Sequence, residues 1–401
     1  MEKNTTQKSI STTPKVLVLG INPFEDVPGY QLYSMLRELS PGYVVGADES
    51  TAALEILSHT GAELFRVPKP LFGVDYYEEL DSLIQKVRPD IVIAGTDAHL
   101  FALSQASYNN EHHSIYSGVS ILNSGSIKNK WDLQEFISSF GNTPTKRKFE
   151  TESDLVRWEQ EFSYPVMVKG FRKDAFKAYD RNEALAAKNQ IYKNPDNLGV
   201  DGGVYLEESI EGEEHSSLIV VGHSQKLLAS LTIRKLATTK FGTTLAARVE
   251  GSEHPFSEVD LLKLSSQPFV MEIEWIKNSA GENYIFEVNM RFPSWIGALG
   301  EYGLSILDQF VRSHCCREEQ SEPRIAPSGT LIYRLPQSGF LPLPEVFLPQ
   351  QQGDNNGNST DHKFVDTDKN DTTAAEKSSV ITYSPDSLLW PGRSPHEFLI
   401  K

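Results

Sequence analysis

Residues 271–292, MEIEWIKNSAGENYIFEVNMRF, set two apolar runs carrying acidic residues on either side of a turn-like Asn278-Ser279-Ala280-Gly281. Side chains two apart on a strand share a face, so Glu272 lines up with Glu274, and Glu287 with Asn289 and Arg291. The turn folds the second set roughly across from the first. Two or more carboxylates and an amide oxygen placed together suit Mg²⁺, a hard cation that takes octahedral oxygen ligands and often bridges to nucleotide phosphates. Without a cation these acids would repel one another. An isolated E-x-N-x-R also fits a solvated edge hairpin in which Arg291 pairs the acids, so the rest of the chain must decide.

Length and composition restrict what this hairpin can belong to. The chain has 401 residues, enough for two or three core-bearing units. Its hydrophobic content of 39% and charged content of 23% are those of an ordinary globular protein. A net charge of -16 argues against general affinity for nucleic acid or anionic lipid, so any anionic ligand must be held by a local cluster of cations. Cys315 and Cys316 are the only cysteines and are adjacent, which makes neither a disulfide framework nor a zinc site. No stretch approaches the ~20 apolar residues of a membrane span, and Met1 to Pro14 is polar, without an apolar signal core. A cytoplasmic location follows by default.

Four parts are expected. Residues 1–14 read as a disordered leader. From 15 to 123 apolar strands alternate with helices: KVLVLGIN (15–22), GYQLYSMLREL (29–39), YVVGAD (43–48), STAALEILSHTG (50–61), AELFRVP (62–68), YYEELDSLIQKV (76–87) and DIVIAG (90–95). This alternation predicts an open, Rossmann-like parallel sheet with helices on both faces. The segment after the first strand, GINPFEDVPG, lacks the G-x-G-x-x-G spacing with which a backbone approaches a pyrophosphate, so the shape is predicted without a dinucleotide. From 124 to 317 two amphipathic helices give way to a strand-rich, antiparallel region. Residues 318–401 form an extension whose segment 350–380 holds almost no large apolar residues and is expected to be disordered, before a more apolar stretch, VITYSPDSLLWPGRSPHEFLIK, able to dock back.

The hairpin has company upstream. In YPVMVKG, Lys169 ends an apolar strand, where a lysine is unusual unless its ammonium meets an anion. Lys130, in IKNKWD, is another cation near the start of the same region. In VYLEESIEGEE a strand runs into Glu207 and Glu208, then Ile210, Gly212 and Glu214. An irregular segment after a strand frees backbone groups for an adenine edge, and a carboxylate shortly after can accept from ribose hydroxyls. Taken singly, each lysine suits an ordinary surface position and the acidic segment a charged turn.

As an ordered set over residues 15–312 these features resemble the ATP-grasp superfamily, in its carboxylate-amine ligase and carbamoyl phosphate synthetase-like branch. The order is Lys130, Lys169, LEESIEGEE, TIRKL with Arg234, IEW with Glu274, and FEVNMR with Glu287, Asn289 and Arg291. The resemblance implies a two-lobed ATP-grasp domain over 124–317 following the Rossmann-like one, with lobes of about 124–202 and 203–317 and with ATP and Mg²⁺, or Mn²⁺ as a second candidate ion, bound between them. It implies Lys130 and Lys169 on the phosphates, Glu207, Glu208 and Ile210 on the adenine, and Glu214 on the ribose. Glu274, rather than Glu272, joins Glu287 and Asn289 as a metal ligand because it occupies the V/I-E-F/W position. Arg234 and Arg291 would stabilise the γ-phosphoryl group and an acyl phosphate.

Two departures stand out. Where a glycine-rich loop is common after the strand lysine, this chain has GFRKDAFKAYD, with one glycine and three cations, Arg172, Lys173 and Lys177. That leaves a lid acting through side-chain charge, or one that is impaired. Met290 replaces the usual proline of E-x-N-P-R and keeps both ligands. Trp295, in RFPSWIGALGEYG, stands where an acceptor pocket would be shaped, although a core position is the commoner place for a tryptophan. The expectation is a carboxylate-amine ligase acting on small-molecule carboxylate and amine substrates, with no nucleic acid or membrane partner and a homodimer left open. A carboxylase or other acyl-phosphate-forming enzyme, and a non-catalytic ATP-binding regulator, are the alternatives.

Overall fold

The structure is a computed structural model that describes residues 13–334 apart from 26, 71–73, 109–126, 199–201, 224, 240–241, 258–260, 262–263, 266 and 317–321. All described residues fall in one compact unit, Met1–Leu341. The expected leader, up to residue 12, the segment 350–380 and the apolar C-terminal stretch lie outside the described residues.

The N-terminal part alternates β1 (Val16–Leu19), α1 (Gly29–Leu39), β2 (Val44–Asp48), α2 (Thr51–Ser58), β3 (Glu63–Arg66), α3 (Val74–Val87), β4 (Ile91–Ala94) and α4 (Asp97–Tyr108). Its four strands are parallel in the order β3-β2-β1-β4. Fully buried Val and Leu side chains in β1, and Ile, Val and Ala in β4, are what a strand covered on both faces requires. Ser50 starts α2 by accepting a hydrogen bond from the Ala53 amide, as its sequence position suggests. Helix α4 is an addition to the sequence-based pattern.

After α5 (Lys130–Ile137) come β5 (Lys146–Lys148), α6 (Glu152–Glu161), β6 (Val166–Gly170), β7 (Ala175–Ala178), α7 (Arg181–Lys193) and β8 (Val204–Glu208). The strands form an antiparallel sheet in the order β5-β8-β6-β7. A second sheet contains β9 (Glu213–Val221), β10 (Leu227–Thr238), β11 (Thr244–Gly251), β12 (Phe269–Lys277), β13 (Asn283–Asn289) and β14 (Leu331–Tyr333), in the order β13-β12-β9-β10-β11-β14. Helix α8 (Glu301–Cys316) follows the short turn after β13. The first strand of the expected extension, β14, is therefore part of this sheet, with Ile332 buried in its core.

Among the described residues three apolar clusters form the core, and their membership positions the site. Phe149, Trp158, Val168, Ile191 and Leu206 form a core belonging to the β5–β8 layer alone. The other two clusters each mix the parallel sheet with the six-stranded sheet: Leu17 and Val92 share one with Met271 and Ile273, and Val18 and Ile93 share the other with Leu218 and Leu231. Helix α5 also packs into the mixed core through Leu133 and Ile137. The β5–β8 layer thus has a core of its own and, by taking in Val204–Glu208, runs past the expected lobe boundary at 202/203. Helix α5, expected in the same lobe, packs instead with the six-stranded sheet and the N-terminal sheet, which form one body.

Candidate active site

The β12–β13 hairpin folds as its sequence suggests. Asn278 Oδ1 accepts from the Ala280 and Glu282 amides, and Gly281 takes φ +83°, a conformation that a side chain would strain. The register sets Glu272 opposite Asn289 and Glu274 opposite Glu287. It then steps from Glu274/Glu287 to Trp275/Ile285, making Phe286 the extra residue of a β-bulge. The Phe286 carbonyl so displaced accepts from Lys169 Nζ of the other layer at 3.3 Å.

Between the two layers lies a cleft of about 400 Å³. Lys169, Glu207, Glu208 and Ile210 line it from the β5–β8 side, and Glu214, Glu274, Glu287, Asn289 and Arg291 from the body. Lys169 and Lys177 come to it together because their positions on β6 and β7 share a face. Lys169 is buried and ion-paired with the buried carboxylate of Glu207. Burial pushes the Glu207 carboxyl up against the opposing pull of that lysine.

The adjacent carboxylates have separate environments. Glu272 is spent internally: it accepts from Ser216 Oγ at 2.8 Å, Trp295 Nε1 at 3.2 Å and Asn289 Nδ2 at 3.1 Å. Glu274 instead receives Lys235 Nζ at 2.5 Å, and burial together with the charges of Glu272 and Glu287 pushes its carboxyl up to about 7 despite that lysine. Glu287 is opposite in sign. Burial would raise it, but Lys130, whose Nζ lies 2.5 Å from Oε1, together with Lys169 and Arg291, holds it down at about 2. Like charges directly across a ladder are destabilising, and the surrounding cations offset that repulsion. Asn289 is buried and its Oδ1 has no hydrogen-bond partner, while its Nδ2 is fixed on Glu272. A buried, unpartnered carbonyl oxygen beside two carboxylates fits a hard cation. Among the described residues no three His, Cys, Asp or Glu side chains form a ready-made cage. Glu274, Glu287 and Asn289 would therefore share Mg²⁺ with oxygens from a ligand, a common arrangement for that ion.

Two expected placements change, those of Arg234 and Lys130, and Trp295 takes the core position. Arg234 is not brought to the cleft: it shares the opposite face of the sheet with His215 and bonds Glu213 and Glu250. Its neighbour Lys235 takes the cleft position, because Ile233 sits across from Ser216 and residues alternate from there. Lys130 stands behind Glu287, pinned between that carboxylate and Asp97, and is not among the residues lining the cleft. Trp295 is buried, its N–H satisfied by Ser216 and Glu272; Ser294 lines the cleft instead. Met290 points into the apolar core.

The glycine-poor segment after Lys169 is a tight β6–β7 turn. Asp174 takes φ +71°, Gly170 N donates to Asp174 O at 2.9 Å, and buried Asn197 Oδ1 accepts from Lys173 N at 2.9 Å. Asp174 here occupies a left-handed position that glycine commonly fills. Of the three cations in the segment, only Lys177 lines the cleft. Sequence reasoning also missed Asp97, at the start of α4, which accepts from Arg291 Nε at 2.9 Å and Nη2 at 3.1 Å. No strand pattern marks it, since its partner lies 194 residues away.

No family model and no curated protein matches this chain. Solved structures do. An L-amino acid ligase from Bacillus licheniformis is similar at TM-score 0.54 and 16% identity, over 75% of this chain and 74% of that one. A carboxyaminoimidazole ribonucleotide synthase from Aspergillus clavatus, complexed with ATP, gives TM-score 0.56 and 16% identity over 76% and 77% of the two chains. The biotin carboxylase domain of a Hydrogenobacter thermophilus 2-oxoglutarate carboxylase, solved with MgADP, ADP and bicarbonate, gives 0.56 and 16% over 78% and 73%. The chain has the ATP-grasp fold. The β5–β8 sheet and the six-stranded sheet bound the cleft from its two sides.

Proposed function

We propose that the protein is an ATP-dependent carboxylate-amine ligase. The observation that carries this reading is one cleft joining a buried lysine on one lobe to Glu274, Glu287, the free Asn289 oxygen and Arg291 on the other. Phosphoryl transfer asks a protein mostly for positioning and charge neutralisation, and these groups provide both. The backbone from Glu207 and Glu208 to Ile210 receives the adenine edge, and Glu214, exposed at the mouth, receives ribose hydroxyls. Lys169, oriented by Glu207, and Lys177 meet the phosphates. Lys130 acts one step back, holding Glu287 ionised and in place. A bound Mg²⁺ would neutralise phosphate charge between Glu274, Glu287 and Asn289.

Arg291 and Lys235 supply the remaining positive charge on the body side. In the proposed reaction a substrate carboxylate oxygen attacks the γ-phosphorus of ATP, the bond to the bridging oxygen breaks, and ADP leaves. The amine then attacks the acyl phosphate carbon, and phosphate departs with the C–O bonding pair. The preceding elements give the same cleft a carboxylase reading, to which the similarity with a bicarbonate-bound biotin carboxylase domain lends support.

The test is ADP release from Mg²⁺-ATP across a panel of amino acids, dipeptides and bicarbonate, with Glu287→Gln as the inactive control. ADP formed only with a particular carboxylate and amine pair supports the ligase. ADP that depends on bicarbonate favours the carboxylase. ATP binding without ADP release across the panel would set the catalytic reading aside for a nucleotide-binding role.

A further inference from the structure

The N-terminal sheet reaches the cleft machinery through Asp97. This residue opens α4 directly after β4, at the carboxyl end of the parallel sheet. Strand order β3-β2-β1-β4 places the topological switch between β1 and β4, where open α/β sheets present functional groups. Asp97 grips the side edge of the Arg291 guanidinium with both oxygens, at 2.9 and 3.1 Å, and lies 3.6 Å from Lys130 Nζ.

The donors of Arg291 can be counted. A guanidinium has five N–H groups. The Nε hydrogen and one on Nη2 go to Asp97, and one on Nη1 goes to the Phe292 carbonyl at 3.1 Å. One N–H on each terminal nitrogen is left outside these bonds, with Glu272 Oε2 3.7 Å from Nη1. Arg291 lines the cleft, so what it can offer there is its end-on edge. The more strongly bidentate side edge is already taken.

We propose that Asp97 is a positioning residue, which fixes Arg291 so that its end-on edge meets an oxyanion in the cleft and lowers that arginine's affinity for anions in exchange for orientation. The inference rests on the ligase reading only in taking that oxyanion to be the transferred phosphoryl group. It gives the N-terminal domain a part in the chemistry beyond packing.

The experiment titrates inorganic phosphate into the full chain by calorimetry for wild type, Asp97→Asn, Asp97→Glu and Arg291→Lys, with ADP release measured in parallel. Asp97→Asn removes a negative charge in contact with Arg291, so its phosphate Kd should tighten by about three- to tenfold while turnover falls by about tenfold or more. A residue that merely supported the fold would not strengthen anion binding. In the Arg291→Lys background, which keeps the charge and loses the bidentate grip, Asp97→Asn should still tighten phosphate but should change the residual turnover by no more than about twofold. Asp97→Glu keeps the charge and displaces the carboxylate by a methylene, so it should bind phosphate like wild type and still lose turnover. Unchanged or weaker phosphate binding in Asp97→Asn overturns the proposal, as does wild-type turnover in Asp97→Glu or absence of phosphate binding in every variant. Absence of ADP release by the wild type would sink the ligase reading, and the phosphate titrations would still decide the role of Asp97.

Discussion

The lobe carrying Lys169 and the lobe carrying Glu274, Glu287 and Asn289 rest on different cores. The first buries Phe149, Trp158 and Leu206 against its own helices and shares that cluster with no other layer. The second has no cluster of its own, because β9 and β12 are packed on the N-terminal sheet through Leu218, Met271 and Ile273. The division of chemistry follows the division of packing. The carboxylates and Arg291 sit on the fused body, whose backbone is held from both sides. The lysine that meets them comes from the lobe with an independent core, tied across by the Lys169 bond to the Phe286 carbonyl. On the proposed reading, a cleft assembled in this way would hold its cation-binding groups fixed while the opposite wall adjusts to nucleotide.

The strongest test of the body side is Glu287→Gln. It removes one proposed cation ligand and the charge that Lys130 neutralises, and should lower turnover by about 10³-fold. ATP affinity should stay within about threefold in calorimetry, since adenine and ribose contacts are untouched. Activity retained in this variant would end the metal-site assignment.

On the lobe side, Lys169→Met leaves Glu207 buried without its partner, which should cost about 3–5 kcal/mol and weaken ATP binding. Adding Glu207→Gln should recover most of the stability and none of the ATP affinity. Because the β5–β8 core is self-contained, hydrogen exchange should show the loss in β6 and β8 with the N-terminal strands protected. A uniform loss through both regions would break the comparison drawn above.

A smaller effect separates the body by pH. His99 is buried, and burial holds its imidazole down at about 3, against about 6.5 in the unfolded chain. Its stabilising contribution is therefore complete above the unfolded value and is lost as pH falls from about 6.5 toward 3, where the unfolded state alone takes up a proton. Between pH 6.5 and 5 the wild type should lose about 1.6 kcal/mol more than His99→Gln, the slope steepening toward about 1.4 kcal/mol per pH unit. Denaturant midpoints at a series of pH values measure it, and parallel slopes would show that His99 is protonated in the fold.

Much of this layout was legible in the sequence, for physical reasons that also mark where legibility stopped. The β1 and β4 runs are apolar enough to demand cover on both faces, and Ser50 and Gly281 carry their local geometry in their own side chains or lack of one. Alternation makes Glu272 and Glu274 equivalent, and both line the cleft; Ser216 and Trp295, distant in sequence, occupy the first with hydrogen bonds, whereas the second meets Lys235. Asp97 was invisible because its role is a tertiary contact. The tight turn after Lys169 hid because Asp174 and Asn197 do together what glycine does alone elsewhere.

Arg234 and Lys235 give the finest version of the same comparison. Adjacent residues on β10 face opposite sides of the sheet, and the sequence offers two cations without saying which points inward. Lys235 is buried beside Glu274, 2.5 Å from its oxygen, with Glu214 at 4.0 Å, so Lys235→Gln should lower turnover by about tenfold or more. Arg234 is part-exposed among Glu213 and Glu250 on the far face, where exchanging one ion pair is worth about 1 kcal/mol or less. Arg234→Gln should accordingly leave kcat and the ATP KM within about twofold of wild type. A large catalytic defect in Arg234→Gln, with Lys235→Gln active, would mean that the far face takes part in the reaction and that the cleft has been assigned to the wrong side of the sheet.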